Sequence, residues 1–183
     1  VCAAPGTKSL ALSYLVGKKG KVYSSDINKS RIDLGLKDLK RHNRKNIFWS
    51  VKDASKDIFP SADKILIDAP CSGTGVLRRK PDIRWRREEK EIEVFSKLQL
   101  KILCNMSDFL NIGGTIVYAT CSIDIAENYN VVQQFLKIKK NFKIIDLPQK
   151  INRDLIDINK CFSTFSEIDK IDGMFAARIK KYG

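Results

Sequence analysis

The chain is poor in histidine, and its cysteines form no paired motif. His42 is the single histidine, so a histidine-based metal centre and a Ser-His triad are both excluded. The five cysteines are odd in number and none stands at C-x-x-C spacing, which argues against a disulfide framework, a zinc site and a thiol-redox role. We expect no bound metal, and any chemistry must rest on cysteines and carboxylates.

Long apolar runs are also lacking. The chain contains no stretch of about 18 apolar residues, which is the length needed to span a membrane. No charged-then-apolar segment opens the chain as a signal peptide would. We therefore expect a cytoplasmic protein without a membrane partner.

Positive charge, in contrast, is abundant. The 34 Lys and Arg residues outnumber the 21 Asp and Glu residues, which gives a formal net charge of +13. Such an excess favours a polyanionic partner, because cations that neutralise phosphates drive nucleic-acid binding. Compositional drift is the alternative, since Lys, Ile and Asn are abundant throughout, as in proteins of AT-rich genomes.

Helices and strands alternate along the chain. This order predicts an α/β fold in which a mostly parallel sheet carries helices on both faces, and 183 residues fit one domain. The stretch 148–172 is weakly patterned, so we expect a loop there with at most short elements. Strands are predicted at 21–25, 46–51, 62–68, 115–119, 142–146 and 173–180, and helices at 8–16, at 88–110, at 124–138 and after a cap at Asn28.

The chain opens on a segment, Val1–Gly6, that looks like the loop after a strand. In a doubly wound sheet the first strand is central and carries the cofactor loop at its tip. We therefore infer a single domain over residues 1–183 that is N-terminally truncated and whose first strand lies upstream. A fragment of this kind is expected to expose unpaired strand edges and to fold poorly alone.

Small residues and strand-end carboxylates mark a candidate cofactor site. Ala3–Gly6 would let a ligand approach the backbone at the start of a helix. Asp26 stands 20 positions after Gly6 at a strand end, where an acid can bind ribose hydroxyls, and Asp53 and Asp68 end further strands. No G-x-G-x-x-G or Walker loop is present, so the pattern favours a nucleoside without phosphates. A turn with solvated carboxylates would give the same spacing.

Two cysteines follow buried strands directly. Cys71 and Cys121 each precede a serine and stand at the carboxyl end of a strand, where open α/β sheets place their sites. If these strands are neighbours, about 4.8 Å apart, the two thiols would open into one crevice. Cysteine is more often a buried small apolar residue, and that interpretation stands for Cys104 and Cys161.

Four motifs carry a family resemblance. They are CAAPGTK at 2–8, DAPCSGTG at 68–75, YATCS at 118–122 and DGMFAA at 172–177. In this order they resemble the signatures of the Nol1/Nop2/Sun family of RNA cytosine-5 methyltransferases. The segment Arg78–Trp85 is similar to the bacterial Sun branch, which methylates a cytosine of small-subunit (16S) ribosomal RNA. Thr7 departs from the family pattern by replacing a usual glycine, and the acidic residue expected just before Val1 is absent.

The resemblance implies both a fold and a chemistry. The fold is a Rossmann-like S-adenosylmethionine-dependent methyltransferase fold, with a mostly parallel seven-stranded sheet whose first strand precedes Val1. Cys121 would attack carbon 6 of cytosine, Cys71 would assist product release, and Asp68 is our candidate for the acid that protonates the ring. The residues assigned to S-adenosyl-L-methionine are Cys2, Ala3, Ala4, Pro5, Gly6, Thr7, Lys8, Asp26, Asp53 and Asp68.

The basic segment 78–87 is a candidate RNA contact. Its six cations surround Trp85, and arginines can hold phosphates while an aromatic ring stacks on an unpaired base. A solvated loop with Trp85 tucked into the core is the alternative. The residues expected to bind RNA are Arg78, Arg79, Lys80, Arg84, Trp85 and Arg86.

Other functions remain open. A transfer-RNA substrate, a non-catalytic RNA-binding fragment and a nicotinamide-dependent dehydrogenase each fit part of the pattern. The dehydrogenase lacks its glycine fingerprint for pyrophosphate and leaves the paired cysteines unexplained. The expected partner is RNA, small-subunit ribosomal RNA first, and the chain is expected to act as a monomer.

Overall fold

The computed structural model describes residues 1–86 and 89–183, which fall into two compact units. The first unit comprises Val1–Asp57, and the second comprises Ile58–Gly183. Within the described ranges, no helix is both long enough and apolar enough to cross a membrane.

The first unit contains two parallel strands joined by a helix. Its elements are α1 (Thr7–Leu15), β1 (Val22–Asp26), α2 (Lys29–Leu39) and β2 (Ile47–Val51), with a 3-10 turn at Lys40–His42. β1 and β2 pair from Val22 opposite Ile47 to Asp26 opposite Val51. α2 makes the crossover between them, because parallel strands cannot be joined by a tight turn.

Asparagine side chains fix where two of these elements begin. The Oδ1 atom of Asn28 accepts the N–H of Arg31 at 3.0 Å, which satisfies a free donor at the start of α2 and confirms the predicted cap. The Asn46 amide donates to three backbone carbonyls between residues 13 and 20, at 3.2, 3.1 and 3.1 Å. Asn46 therefore ties the turn after α1 to the start of β2.

The second unit carries a five-stranded sheet. Its elements are β3 (Ala62–Asp68), α3 (Ile83–Arg86), α4 (Glu89–Asp108), β4 (Leu110–Thr120), α5 (Tyr129–Ile138), β5 (Phe142–Ile144), β6 (Phe162–Thr164), α6 (Ser166–Asp169) and β7 (Met174–Lys181), with 3-10 turns at Thr74–Val76 and Arg153–Leu155. The strand order is β3-β4-β7-β5, and β6 also pairs with β7. The stretch 148–172 holds only short elements, as predicted.

The sheet of the second unit is mixed because of β7, and the expectation of a mostly parallel sheet holds, since its other four strands all run in one direction. The pairs β1–β2 and β3–β4 are parallel, but β7 runs antiparallel to β4, β5 and β6. Only residues 165–173 separate β6 from β7. A connection that short suits antiparallel strands, since a parallel crossover needs about a dozen residues or more.

β4 also begins earlier than the predicted start at residue 115. Ala62 pairs with Leu110, and the next regular pair is Lys64 with Thr115, so residues 111–114 bulge out of the ladder. Gly113 lies in this bulge with φ 79°, a left-handed conformation that glycine adopts without strain. A glycine turn therefore interrupts β4, and strand pairing with β3 is present on both sides of this turn.

Fully buried side chains from the helices and the sheet form the core of the second unit. Leu103 of α4 and Phe135 of α5 are both fully buried, and β7 buries alternate residues at 175, 177 and 179. Burial of one such side chain contributes about 1.5–3 kcal/mol. The core holds the carboxyl ends of β3 and β4 in place, and the candidate site begins there.

Candidate active site

The strands β3 and β4 end side by side, with Asp68 opposite Ala119 in the parallel ladder. Cys71 and Cys121 follow these two strand ends and are each half-buried. Their Sγ atoms lie 3.3 Å apart. The structure thus confirms that neighbouring strands bring the two thiols together.

The loops that carry the cysteines are interlocked through Gly75. The Gly75 N–H donates to the Cys121 carbonyl at 2.9 Å, and the Gly75 carbonyl accepts the Gly173 N–H at 2.8 Å. A Cβ atom at position 75 would lie 1.9 Å from the Gly173 oxygen and 2.9 Å from the Cys121 oxygen. Only glycine allows this approach, so the DAPCSGTG and DGMFAA motifs meet at a point where a methyl group cannot fit.

The environment of Cys71 keeps its thiol protonated. Its hydrogen bond with Cys121 raises the pKa of Cys71 most, and burial raises it further. A protonated Cys71 can donate to the neighbouring sulfur.

The other described cysteines of the second unit fit the packing interpretation. Cys161 is fully buried, and burial together with Asp157 raises its pKa to about 12. Cys104 is half-buried, and burial raises its pKa as well. A thiol with a raised pKa is a poor nucleophile at neutral pH.

A buried polar network beneath the cysteines was not predicted from the sequence. Glu127 is fully buried, and its carboxylate accepts hydrogen bonds from Ser72 and Gln99. Asn128 is also buried and contacts Thr120 and Ser122, the two neighbours of Cys121. In the sequence these residues stand in a polar stretch that resembles a solvated helix start, and no local pattern distinguishes them.

The predicted cofactor loop lies in the first unit and is held by Asp26. One Asp26 oxygen accepts the N–H of Ala4 and the other accepts the N–H of Asn28, each at 3.0 Å. Arg31 pairs with the same carboxylate at 3.7 Å and donates to the Ala4 carbonyl. Asp26 is only 3% exposed, so its first role is to fix the loop backbone.

α2 packs directly on this loop. A Cβ atom at Gly35 would lie 1.7 Å from the Pro5 oxygen, so glycine is required where the helix crosses the loop. Gly6 ends the loop with φ 119° at the start of α1. The left-handed Gly6 and the close approach at Gly35 therefore determine the shape of the loop.

Asp53 follows β2 and presents a charged carboxylate. The Ser55 hydroxyl and backbone N–H donate to it at 2.7 and 2.9 Å, and Lys56 lies 3.6 Å away. These contacts, the Ser55 side chain first, lower the pKa of Asp53. Asp53 is therefore ionised at neutral pH.

The residues of the first unit fit a nucleoside-type cofactor such as S-adenosyl-L-methionine. Pro5 and Thr7 are exposed on either side of the positive-φ Gly6, and the small side chains of the loop leave room for a ligand to approach there. Asp53 supplies an ionised acceptor for hydroxyl or amino groups. Asp68, the remaining predicted contact, is half-buried at the end of β3 in the second unit.

The basic segment lies in the second unit and exposes its aromatic ring. Trp85 is 87% exposed on α3, so the alternative that tucked it into the core is wrong. Arg78 donates to the Lys170 carbonyl at 3.4 Å, and Arg79 pairs with Asp172 at 2.9 Å. Lys80 is exposed. The side chains of Arg84 and Arg86, and the whole of Arg87, lie outside the described residues.

Comparisons with known proteins place this geometry in a family. Residues 1–180 match the family described as 16S rRNA methyltransferase RsmB/F. The chain is 37% identical over 146 residues to the probable ribosomal RNA small subunit methyltransferase B of Bacillus subtilis. This alignment covers 78% of the chain and 33% of that protein. It is 34% identical over 193 residues to ribosomal RNA small subunit methyltransferase B of Photorhabdus laumondii, with coverages of 99% and 41%. The crystal structure of NSun6 from Pyrococcus horikoshii with SFG superposes with a TM-score of 0.87 at 31% identity, over 99% of this chain and 46% of that one.

The fold is that of the Rossmann-like, S-adenosylmethionine-dependent methyltransferases. Within that class, the chain belongs to the RsmB/F family, the bacterial Sun-like branch of the Nol1/Nop2/Sun proteins. The chain spans 33% to 41% of the length of these two curated relatives. Membership of this family sets aside the dehydrogenase alternative.

Proposed function

We propose that this chain is the catalytic part of an S-adenosylmethionine-dependent RNA methyltransferase that forms 5-methylcytosine through a covalent cysteine adduct. The observation that carries the proposal is the pair of sulfurs 3.3 Å apart at the ends of two adjacent parallel strands. A single catalytic domain over residues 1–183 remains a prediction.

The chemistry requires one nucleophilic sulfur. The Sγ–C6 bond forms as the Cys121 thiolate adds to cytosine, and the electrons of the C5–C6 double bond move to carbon 5. The cofactor, when bound, would supply an electrophilic methyl group, which carbon 5 takes as the bond from the methyl carbon to the sulfonium sulfur breaks and a neutral thioether is left. Loss of the carbon 5 proton then restores the double bond, breaks the Sγ–C6 bond and returns the thiolate. The target base must leave the RNA stack to reach such a site.

Cys71 is suited to a different part of this cycle. Because its thiol keeps its proton, it can donate to the Cys121 sulfur while that sulfur carries charge. We assign the negative charge of the deprotonated pair to Cys121. We assign Cys71 to product release, where a neighbouring thiol assists the departing sulfur. Asp68 stays our candidate for the acid that protonates the ring.

The first unit would hold the cofactor. Its loop backbone is fixed by Asp26, and its second carboxylate, Asp53, is ionised. We assign residues 2–8, Asp26, Asp53 and Asp68 to S-adenosyl-L-methionine, as the family resemblance implies.

Small-subunit ribosomal RNA is the proposed substrate. The two curated relatives reported above bear that name, and the exposed Trp85 and neighbouring cations suit an RNA surface. Transfer RNA and RNA binding without catalysis are the alternatives. With ribosomal RNA as substrate, the protein would act in the cytoplasm, and we expect it to act as a monomer.

The test uses the release step. The Cys71→Ala variant is incubated with S-adenosyl-L-methionine and unmodified 16S ribosomal RNA, and protein–RNA adducts that resist denaturation are measured. We expect an adduct that disappears in Cys71→Ala/Cys121→Ala. Equal methyl transfer by the wild type and Cys121→Ala, with no adduct, would overturn the covalent mechanism. An adduct with transfer RNA alone would identify transfer RNA, and not ribosomal RNA, as the substrate. RNA binding without methyl transfer would support the non-catalytic alternative.

A further inference from the structure

The fully buried carboxylate of Glu127 holds the loop of Cys71. Its Oε1 atom accepts the Ser72 backbone N–H at 2.8 Å and the Gln99 amide at 3.1 Å, and its Oε2 atom accepts the Ser72 hydroxyl at 2.5 Å. Gln99 also donates to the Pro70 carbonyl at 2.9 Å. The residues on both sides of Cys71 are therefore tied, directly or through Gln99, to one carboxylate.

The next residue, Asn128, holds the loop of Cys121 in the same way. Its Oδ1 atom accepts the Thr120 hydroxyl at 2.5 Å, and its side-chain amide donates to the Ser122 carbonyl at 2.9 Å. Thr120 and Ser122 are the two neighbours of Cys121. Asn128 is therefore hydrogen-bonded to the residue before Cys121 and to the residue after it.

The contacts of Glu127 and Asn128 belong to one connected hydrogen-bond network. Glu127 and Asn128 are consecutive, and the Tyr118 hydroxyl donates to the Glu127 carbonyl. The hydroxyls of Ser72 and Ser122 lie 3.3 Å apart and link the two loops. Burying a carboxylate is costly unless its oxygens are satisfied, and here each oxygen faces at least one donor.

We propose that Glu127 and Asn128 are positioning residues that set the separation and orientation of the Cys71 and Cys121 sulfurs. Neither side chain is required to touch the substrate. This inference rests on the proposed covalent function, since it names the residues that prepare the two sulfurs for it. A displacement of about 1 Å in a reacting group can lower a rate by about 100-fold. Loss of contacts in this network should therefore lower kcat.

Substitutions at Glu127 separate position from charge. In Glu127→Gln, the remaining oxygen can face the Ser72 and Gln99 N–H groups, while the new amide donates to the Ser72 hydroxyl, which can rotate to accept it. We expect this variant to retain kcat within about threefold. Glu127→Ala removes every contact, and we expect kcat to fall by about 100-fold, with the KM for RNA changed by less than about threefold.

A second readout does not depend on methyl transfer. The rate at which iodoacetamide alkylates Cys121 is followed against pH by peptide mass spectrometry. If the Cys71 thiol no longer donates to the Cys121 sulfur, the midpoint of the alkylation profile should rise by about one pH unit in Glu127→Ala. The midpoint should stay near the wild-type value in Glu127→Gln.

A matched control separates positioning from general destabilisation. Phe135 is buried on α5 against Phe142 and takes part in none of the hydrogen bonds described above, so Phe135→Leu should lower stability without altering that network. Its kcat and alkylation midpoint should match the wild type. If Glu127→Ala does not fold, Ser72→Ala removes one contact to Oε2 and should lower kcat by about tenfold, roughly half the full effect on a logarithmic scale.

Two results would overturn the proposal. One is a folded Glu127→Ala protein with wild-type kcat and alkylation midpoint, and the other is a Glu127→Gln protein as impaired as Glu127→Ala, which would assign the effect to charge. Failure of the proposed function looks different: the wild type itself would transfer no methyl group, while the alkylation profiles would still report on the network.

Discussion

Replacing Gly75 with alanine should loosen the junction of the two cysteine loops. The new methyl group would lie 1.9 Å from the Gly173 oxygen and 2.9 Å from the Cys121 oxygen, and both are backbone atoms that cannot rotate away. Overpacking of this kind costs about 1–3 kcal/mol. The two backbone hydrogen bonds made by Gly75 would lengthen, at about 0.5–1.5 kcal/mol each.

The sum is a loss of about 2–6 kcal/mol in the free energy of unfolding, with a midpoint of about 4 kcal/mol. For a chain of this size, each kcal/mol lowers Tm by about 2–4 °C, so we expect a fall of about 10 °C. Urea denaturation followed by circular dichroism measures the free energy, and differential scanning calorimetry measures Tm. Methyl transfer should fall with the same substitution, because the Cys121 carbonyl must move.

Gly113→Ala is the matched control for this prediction. Gly113 has φ 79°, and nothing lies within 4 Å of a Cβ atom built there, so alanine suffers only the strain of a left-handed backbone. That strain costs about 1–2 kcal/mol. If Gly75→Ala destabilises the protein no more than Gly113→Ala does, the steric argument for the junction is refuted.

Three further predictions address RNA binding, pH dependence and the loop of the first unit. Trp85→Ala should leave Tm unchanged because the ring is 87% exposed, but it should weaken RNA binding by about 1–3 kcal/mol if the ring stacks on a base, as measured by filter binding; equal affinities would exclude stacking. Contacts with Ser55 and Lys56 lower the pKa of Asp53 below its unfolded value of 3.8. Between the native and the unfolded pKa, the unfolded chain therefore binds more protons than the folded chain. The stabilisation is complete above about pH 5 and disappears as the pH falls through the native pKa. Asp53→Asn should therefore flatten the pH dependence of unfolding below about pH 5, and an unchanged slope there would contradict the assignment. Asp26→Asn replaces one acceptor of a backbone N–H with a donor and should cost about 1–3 kcal/mol by urea denaturation, with a matching loss of S-adenosyl-L-methionine binding by calorimetry; wild-type values for both would show that Asp26 does not hold the loop.

The local sequence pattern was sufficient to predict the elements that carry the candidate site. β3 was predicted at its observed bounds, since apolar residues followed by Asp68 describe a buried strand that ends at its carboxyl tip. The cysteine positions follow from the same reasoning, because each motif continues directly from a strand. The motifs also identified the family, since they are contiguous and need no knowledge of the fold.

Long-range contacts decided what the pattern could not. The direction of β7 depends on which strands it joins, and its partner β4 lies more than 50 residues earlier in the chain. The start of β4 depends on a bulge that appears only when β3 is placed beside it. The exposure of Trp85 depends on what packs around α3, and the sequence left that open.

By itself, the sequence determined the alternation of helices and strands, the cofactor loop and the two cysteine loops at strand ends, because these features are written in neighbouring residues. Only the tertiary structure decided that the sulfurs of Cys71 and Cys121 lie 3.3 Å apart and that Glu127 is buried beneath them. Cys71 and Cys121 are 50 positions apart, and Ser72 and Glu127 are 55 apart. A contact across such a separation forms only when the strands pair and the core closes, so no local periodicity records it.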